Sequence, residues 1–200
     1  MAHISQWRED RMAADQQKSL SVCVFCSAND RIAPEYFEAA RTGGAYLGKH
    51  RYTLVYGGCS LGLMECVAQA AHESGSRVIG VVPSKVEENG HTSRYIDELI
   101  RCGNLTDRKQ IMMDRSDVFV ALPGGLGTLD EIFTVAASQT LDYHTKKVIL
   151  FNVGGFWDPC IRMLDEMQTN HMMRKPWSNQ IAVVDSIERF EQMIFAVCED

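Results

Sequence analysis

Pro123-Gly124-Gly125-Leu126-Gly127-Thr128-Leu129-Asp130-Glu131 follows an apolar run, Asp117–Leu122, and leads into a helical pattern. Glycines at such a place let the backbone approach an anion closely, while the free amides and positive dipole end of the helix stabilise its charge. A phosphorylated nucleotide is the expected occupant. Glu131 then has two readings. Thr128-Leu129-Asp130-Glu131 spells a capping box, in which the glutamate folds back on the N-cap amide. Alternatively the carboxylate faces the bound ligand and works as a base. Asp130 is favourable charge for a helix start.

Two further glycine motifs compete for attention. Gly43-Gly44-Ala45-Tyr46-Leu47-Gly48-Lys49-His50 nearly spells a phosphate-binding P-loop, but His50 stands where a hydroxyl must meet magnesium, and the motif ends a helix instead of opening one. Helix packing or termination is the expected role. Gly58-Cys59-Ser60-Leu61-Gly62 matches the G-x-S-x-G of a serine hydrolase, with Asp142 or Asp158 and then His171 in triad order. An HGGG-type oxyanion element is missing, and the same residues read as a tight strand-to-helix turn whose amides face a phosphate.

These loops need a frame. Apolar runs predict strands over Ser21–Cys26, Thr53–Tyr56, Arg77–Val82, Asp117–Leu122, Lys147–Asn152 and Ile181–Val184. Helical patterns fall between and after them, over Pro34–His50, Leu63–Ser74, Leu105–Arg115, Thr128–Leu141, Trp157–Met172 and Ser186–Val197. Such alternation implies a Rossmann-like α/β fold: a doubly wound parallel sheet in a single domain, with ligands beyond the C-terminal ends of the strands. The domain is expected over 21–200, preceded by a polar leader over 1–20. Pro83–His91 reads as a charged loop or a pocket lid. The loop after the first strand, Ser27-Ala28-Asn29-Asp30, lacks the glycines of a dinucleotide site.

Composition narrows the classes. A chain of 200 residues, 46% hydrophobic, suits one domain with a full core. With 20 basic residues against 26 acidic ones and no basic stripe, nucleic acid is not an expected partner. Arg8, Glu9, Asp10, Arg11, Asp15 and Lys18 interrupt any apolar signal, and no run approaches the ~18 apolar residues of a membrane span, so a cytoplasmic protein off the membrane is expected. The seven cysteines show no framework spacing, and Cys23-x-x-Cys26 sits inside an apolar run, so both read as strand packing. His72, His91, His144 and His171 share no ligand spacing; no metal is expected. Met112, Met113, Met163, Met167, Met172 and Met173 read as helix packing or a dimer seam.

PGGLGTLDE, together with Arg108-Lys109-Gln110-Ile111-Met112 and the Tyr56–Met64 stretch YGGCSLGLM, resembles the LOG (Lonely Guy) family of cytokinin riboside 5′-monophosphate phosphoribohydrolases. Its members have also been called lysine decarboxylases, a name the pattern does not support. The likeness runs over roughly Ser21 to Met172. It implies a Rossmann-like homodimer without cofactor, acting on a nucleoside 5′-monophosphate, AMP or an N6-modified form, to release the free base and ribose 5-phosphate. Carried over by motif, Arg108 and Glu131 are the catalytic pair. Lys109, Gly124, Gly125, Gly127, Thr128 and Asp130 lie at the nucleotide, with Gly58, Ser60 and Gly62 in a nucleotide-side turn. Glu65 after Met64, Leu105-Thr106, and Ala137-Ser138 depart from the family's usual residues, while Gln139, His144 and Lys146 echo them. Molybdenum-cofactor carriers resemble the same fold and PGGxGT loop, which leaves a non-catalytic carrier as the alternative.

Overall fold

Aliphatic runs buried on both sides can only become inner strands of a parallel sheet, with helices covering each face. The computed structural model describes residues 19–199, so the leader expected over 1–20 lies, apart from Ser19 and Leu20, outside the described residues. The strands are β1 (Ser21–Phe25), β2 (Thr53–Tyr56), β3 (Val78–Pro83), β4 (Glu98–Cys102), β5 (Val118–Ala121), β6 (Val148–Phe151) and β7 (Ile181–Val184). They form one parallel sheet in the order β4-β3-β2-β1-β5-β6-β7. The helices are α1 (Pro34–Lys49), α2 (Gly62–Glu73), α3 (Ser84–Glu88), α4 (Leu105–Asp114), α5 (Leu126–Thr140), α6 (Asp158–Thr169) and α7 (Ile187–Glu199). From β1 the chain winds outward to β4, then returns to β5 on the other side of β1. That reversal opens a crevice between the C-terminal ends of β1 and β5, the place where such sheets bind ligands.

Strand alternation sorts the core into two layers. Val22 and Val24 face Leu47, Leu63, Val67, Phe190 and Ile194 of α1, α2 and α7. Cys23 and Phe25 face Met112, Ile132, Val135 and Leu164 of α4, α5 and α6. Cys26 belongs to the first layer and Cys23 to the second, so the two free thiols point to opposite faces. Ser186 caps α7 as its position suggests, its Oγ accepting from the Arg189 amide at 3.3 Å. No helix among the described residues is long and apolar enough to cross a membrane.

Three expectations need correction. The sheet has a strand, β4, that the apolar pattern does not predict. Glu98 and Arg101 break its hydrophobic run because it is an edge strand, and charged side chains protect such an edge. The segment Pro83–His91 is neither a bare loop nor a lid. It starts with the short α3 and then straps the turn after β2, with the Ser60 amide donating to His91 O at 2.8 Å and the Ser93 amide to Gly58 O at 3.0 Å. Finally, α5 begins at Leu126 with Gly125 as its N-cap, not at Thr128.

The near P-loop lies inside α1 and packs helices. A Cβ on Gly44 would stand 2.6 Å from Val67 O, and one on Gly48 would stand 2.6 Å from Ala71 O, so both glycines let α1 touch the backbone of α2. Gly44→Ala should therefore cost about 1–3 kcal/mol of overpacking. Thermal unfolding checks it, at about 2–4 °C of Tm per kcal/mol. Nucleotide affinity should be unchanged; a lost affinity at unchanged Tm would return this motif to phosphate binding.

Candidate active site

The loop that leaves β1 is fixed by its own short polar side chains. Asn29 N donates to Ser27 Oγ at 3.1 Å, and Arg31 N donates to Asn29 Oδ1 at 2.9 Å. Its neighbours hold it as well: Ser27 N donates to Pro123 O at 3.1 Å, and Leu63 N to Ser27 O at 2.9 Å. Gly62, at the start of α2, donates its amide to Asp30 Oδ1 at 2.8 Å. Gly62 has φ +58 and lies so close to this loop that a Cβ would stand 2.6 Å from the Ala28 backbone. Glycine is required there by conformation and by space together.

On the β5 side, the first intrahelical bond of α5 runs from Leu129 N to Gly125 O at 3.0 Å. The amides of Leu126, Gly127 and Thr128 precede it and have no carbonyl within the helix to receive them. Gly125, Gly127 and Thr128 border a cavity of about 710 Å³ that also meets Cys26, Ala28, Asp30, Arg31, Leu61 and Met64. Nothing stands within 4 Å of the place a Cβ would take on Gly125 or Gly127. Thr128 is buried, and a Cβ on Gly124 would overlap its side chain, so Gly124 gives Thr128 its room and does not line the cavity.

Arg108 and Glu131 meet at the floor of this cavity. Arg108 Nη1 donates to Glu131 Oε1 at 2.9 Å, and its Nε donates to Val81 O at 3.2 Å. Their side chains are 12% and 5% exposed, so the pair is shielded from water. With α5 starting at Gly125, Glu131 lies in the second turn and forms no capping box. Burial pushes its carboxyl up to about 7; the Arg108 guanidinium pulls the other way, and Asp130 adds to the rise.

Lys109 and Asp130, each next in sequence to one of the pair, are placed elsewhere. Lys109 Nζ donates to both Asp130 carboxylate oxygens at 2.7 and 2.8 Å and to Thr134 Oγ1 at 3.0 Å. They clamp α4 to α5 and do not border the cavity. Gly58, with φ +73, takes the tight turn under the strap, and a Cβ there would strike Val82.

The structure adds a residue to the site that motif reading did not single out. A Cβ on Gly57 would collide with Arg108 Nη2 and come within 3.2 Å of Met64 Sδ. Gly57 is thus the slot that admits the guanidinium. Its signal in the sequence is only the first glycine of Tyr56-Gly57-Gly58, and the reason for it comes from a distant helix.

The serine hydrolase reading does not survive. Ser60 is outside the left-handed backbone region that the nucleophile of a strained elbow occupies. Asp142 lies just past the C-terminal end of α5, about 22 Å along that helix from the cavity. His171 likewise follows the far end of α6. A triad needs its three groups within hydrogen-bond reach.

A family model described as possible lysine decarboxylase matches residues 64–194. A probable cytokinin riboside 5′-monophosphate phosphoribohydrolase of Oryza sativa subsp. japonica is 41% identical over 151 residues, covering 76% of this chain and 66% of that protein. A cytokinin riboside 5′-monophosphate phosphoribohydrolase of Arabidopsis thaliana is 39% identical over 145 residues, covering 72% of this chain and 67% of its own length. The chain thus spans about two thirds of the curated relatives it matches. Among solved structures, the molybdenum cofactor binding protein of Rippkaea orientalis superposes with a TM-score of 0.69 at 25% identity, over 90% of this chain and 98% of that one. The molybdenum cofactor carrier protein of Chlamydomonas reinhardtii gives 0.70 at 22% identity, over 92% and 100%, and shows the same fold.

Gly57→Ala should unseat Arg108 and leave Glu131 without its partner. Removing one side of a buried ion pair costs about 3–5 kcal/mol, so Tm should fall by roughly 10 °C. Calorimetric unfolding checks it, and an unaltered Tm with Arg108 still on Glu131 in a crystal structure would refute the slot.

Proposed function

Because the chain belongs to the LOG family of cytokinin riboside 5′-monophosphate phosphoribohydrolases, we propose that it hydrolyses the N-glycosidic bond of a nucleoside 5′-monophosphate, AMP or an N6-modified form. The products are the free base and ribose 5-phosphate. The observation that carries the reading is a buried glutamate, Glu131, paired to Arg108 beside the open amides of α5, with burial pushing its carboxyl up to about 7. The phosphate rests on the amides of Leu126, Gly127 and Thr128, with Gly125 and Gly127 giving it close approach. Glu131 faces the anomeric carbon. As the C1′–N bond breaks, its electron pair leaves with the base, positive charge grows on the ribose, and the carboxylate stabilises that charge. Water adds to C1′ and passes a proton to Glu131, which is suited to the task by a pKa close to the working pH; the departing base takes a proton from solvent and leaves neutral, and Glu131 releases its proton to solvent to reset the site. Arg108 remains cationic and holds the carboxylate in place. Phosphate binding is remote from the reacting carbon and can be applied to the chemical step, which favours a monophosphate over a nucleoside.

The carrier alternative rests on the fold shared with molybdenum cofactor proteins. Gripping a cargo requires the amides alone, whereas an acid ionising near neutrality beside the sugar serves bond cleavage. Incubation with AMP, with chromatography for adenine, separates the two. Base release is expected. Glu131→Gln should lower kcat by about 10²–10⁴. In the wild type, kcat/KM should fall about tenfold per pH unit below about 7 as Glu131 takes up a proton, and level off above it. AMP binding without release of adenine would replace this reading with the carrier.

The homodimer and the cytoplasmic location belong to the same proposal. Exposed Leu141, Met163, Met167 and Met172 rim a groove of about 760 Å³ whose walls include Phe133 and Trp177. A second copy seated there would cover apolar surface that a monomer leaves in water. Met167→Glu should convert the dimer to a monomer in sedimentation velocity with the circular dichroism spectrum unchanged. A monomeric wild type would overturn the dimer.

A further inference from the structure

Charge at the cavity is incomplete for the anion it is to hold. Four side chains that carry charge border it, Asp30, Arg31, Arg108 and Glu131, while the Cys26 thiol beside them is held neutral by burial. Arg108 is taken by Glu131 and by the Val81 carbonyl. Asp30 accepts the first amide of α2. Lys109, the other cation on α4 close to the pair, is bound by both oxygens of Asp130. The lining therefore sums to no net charge before ligand arrives. A phosphate monoester brings about −1.5 to −2 at neutral pH, and a helix N-terminus offers only about +0.5. The charge of Arg108 is spent on Glu131 whenever that carboxylate is ionised, so the pair leaves no positive charge for the anion.

Arg31 is the cation left over. Its side chain is exposed and forms no hydrogen bond or ion pair with another described residue. Its backbone, by contrast, is fixed, since its amide is held by Asn29 Oδ1 at 2.9 Å. The loop that carries it is hydrogen-bonded straight to the phosphate-side loop through Ser27 N and Pro123 O at 3.1 Å. The apolar wall of the cavity, Leu61 and Met64, belongs to the β2–α2 side instead. A guanidinium fork matches phosphate oxygens in two parallel hydrogen bonds, which the converging amides of a helix end leave free on the far side of the anion.

We propose that Arg31 is a phosphate-binding residue of this site, closing on the 5′-phosphate from the side opposite the N-terminus of α5. The proposal rests on the nucleotide reading above and extends it to a residue outside the family motifs quoted. It makes phosphate recognition a joint act of the β1 and β5 loops, the two lips of the crevice.

Calorimetric titration of the full chain with AMP, ribose 5-phosphate and adenosine tests it without relying on turnover. Arg31→Ala should weaken AMP and ribose 5-phosphate at least tenfold and leave adenosine unchanged. Arg31→Lys, which keeps the charge and loses the fork, should fall between. Equal weakening of adenosine would put Arg31 at the base or sugar and overturn the assignment, as would unchanged affinity for all three. Wild-type protein that binds AMP yet releases no adenine would remove the hydrolase reading alone, and Arg31 would still be judged by its affinities. Wild-type protein that binds neither phosphate ester would remove both.

Discussion

A buried ion pair between two helices sets the terms for the rest of this molecule. Arg108 and Glu131 come from α4 and α5, and the 2.9 Å contact between them holds only if both helices keep their places on one face of the sheet. Taking two charges out of water is expensive, and their attraction offsets that cost only with good geometry and extra hydrogen bonds. The Val81 carbonyl provides one such bond and the missing side chain of Gly57 provides the room. The clamp from Lys109 to Asp130 then fixes α4 against α5 from outside the cavity. A phosphate next to an unpaired buried carboxylate would be repelled; next to a neutral pair it is not. Pairing is thus what lets one cavity hold both an anion and an acid.

Topology supplies the place. Because β1 lies between β2 and β5, the chain leaves its end toward α1 while α5 rises from the neighbouring strand on the other face. The two loops separate, and the crevice between them is lined by backbone amides on one side and by the Ser27–Arg31 turn on the other. Arg108 enters from below by way of α4, whose N-cap, Asn104, accepts from Asp107 N at 2.9 Å and so defines where the helix begins. The loop after β1, the turn after β2 and residues of α2, α4 and α5 converge on one volume from segments far apart along the chain.

Much of this was legible in the residues. Glycine spacing after an apolar run is a local signal, and the glycine turn that opens α5 follows from it. Five inner strands announced themselves because inner parallel strands are apolar throughout, and the edge strand β7, Ile181–Val184, did so because it too carries no charge. The edge strand β4 did not, since its charges do the work of keeping the edge soluble. The motif carry-over placed Lys109 and Asp130 at the nucleotide; successive helix residues point about 100° apart, and these two side chains meet each other outside the lining of the cavity that Arg108 and Glu131 enter. The capping box failed because Gly125, with its extended backbone, starts α5 earlier than the pattern of polar side chains suggests. Gly57 was silent for a deeper reason: its requirement is written by the guanidinium of a distant helix, and no local pattern carries that information.

The same frame also serves proteins that bind a cofactor, so the frame cannot decide what happens to the bound molecule. What decides is whether a group near the sugar can change its protonation state at the pH of the cell. A carboxylate left in water would be fully ionised and a poor match to that pH; one buried without a partner would be held neutral and could accept no proton. Glu131 lies between these limits because burial and Arg108 act in opposite directions on it. The balance needs both burial and the cation, so a chain that kept the glycine turn but lost either would keep the free amides and would no longer have a carboxyl poised between its two protonation states. Under the proposed hydrolysis, catalysis would be a property of the electrostatic setting of one glutamate, laid over a glycine turn whose amides are free.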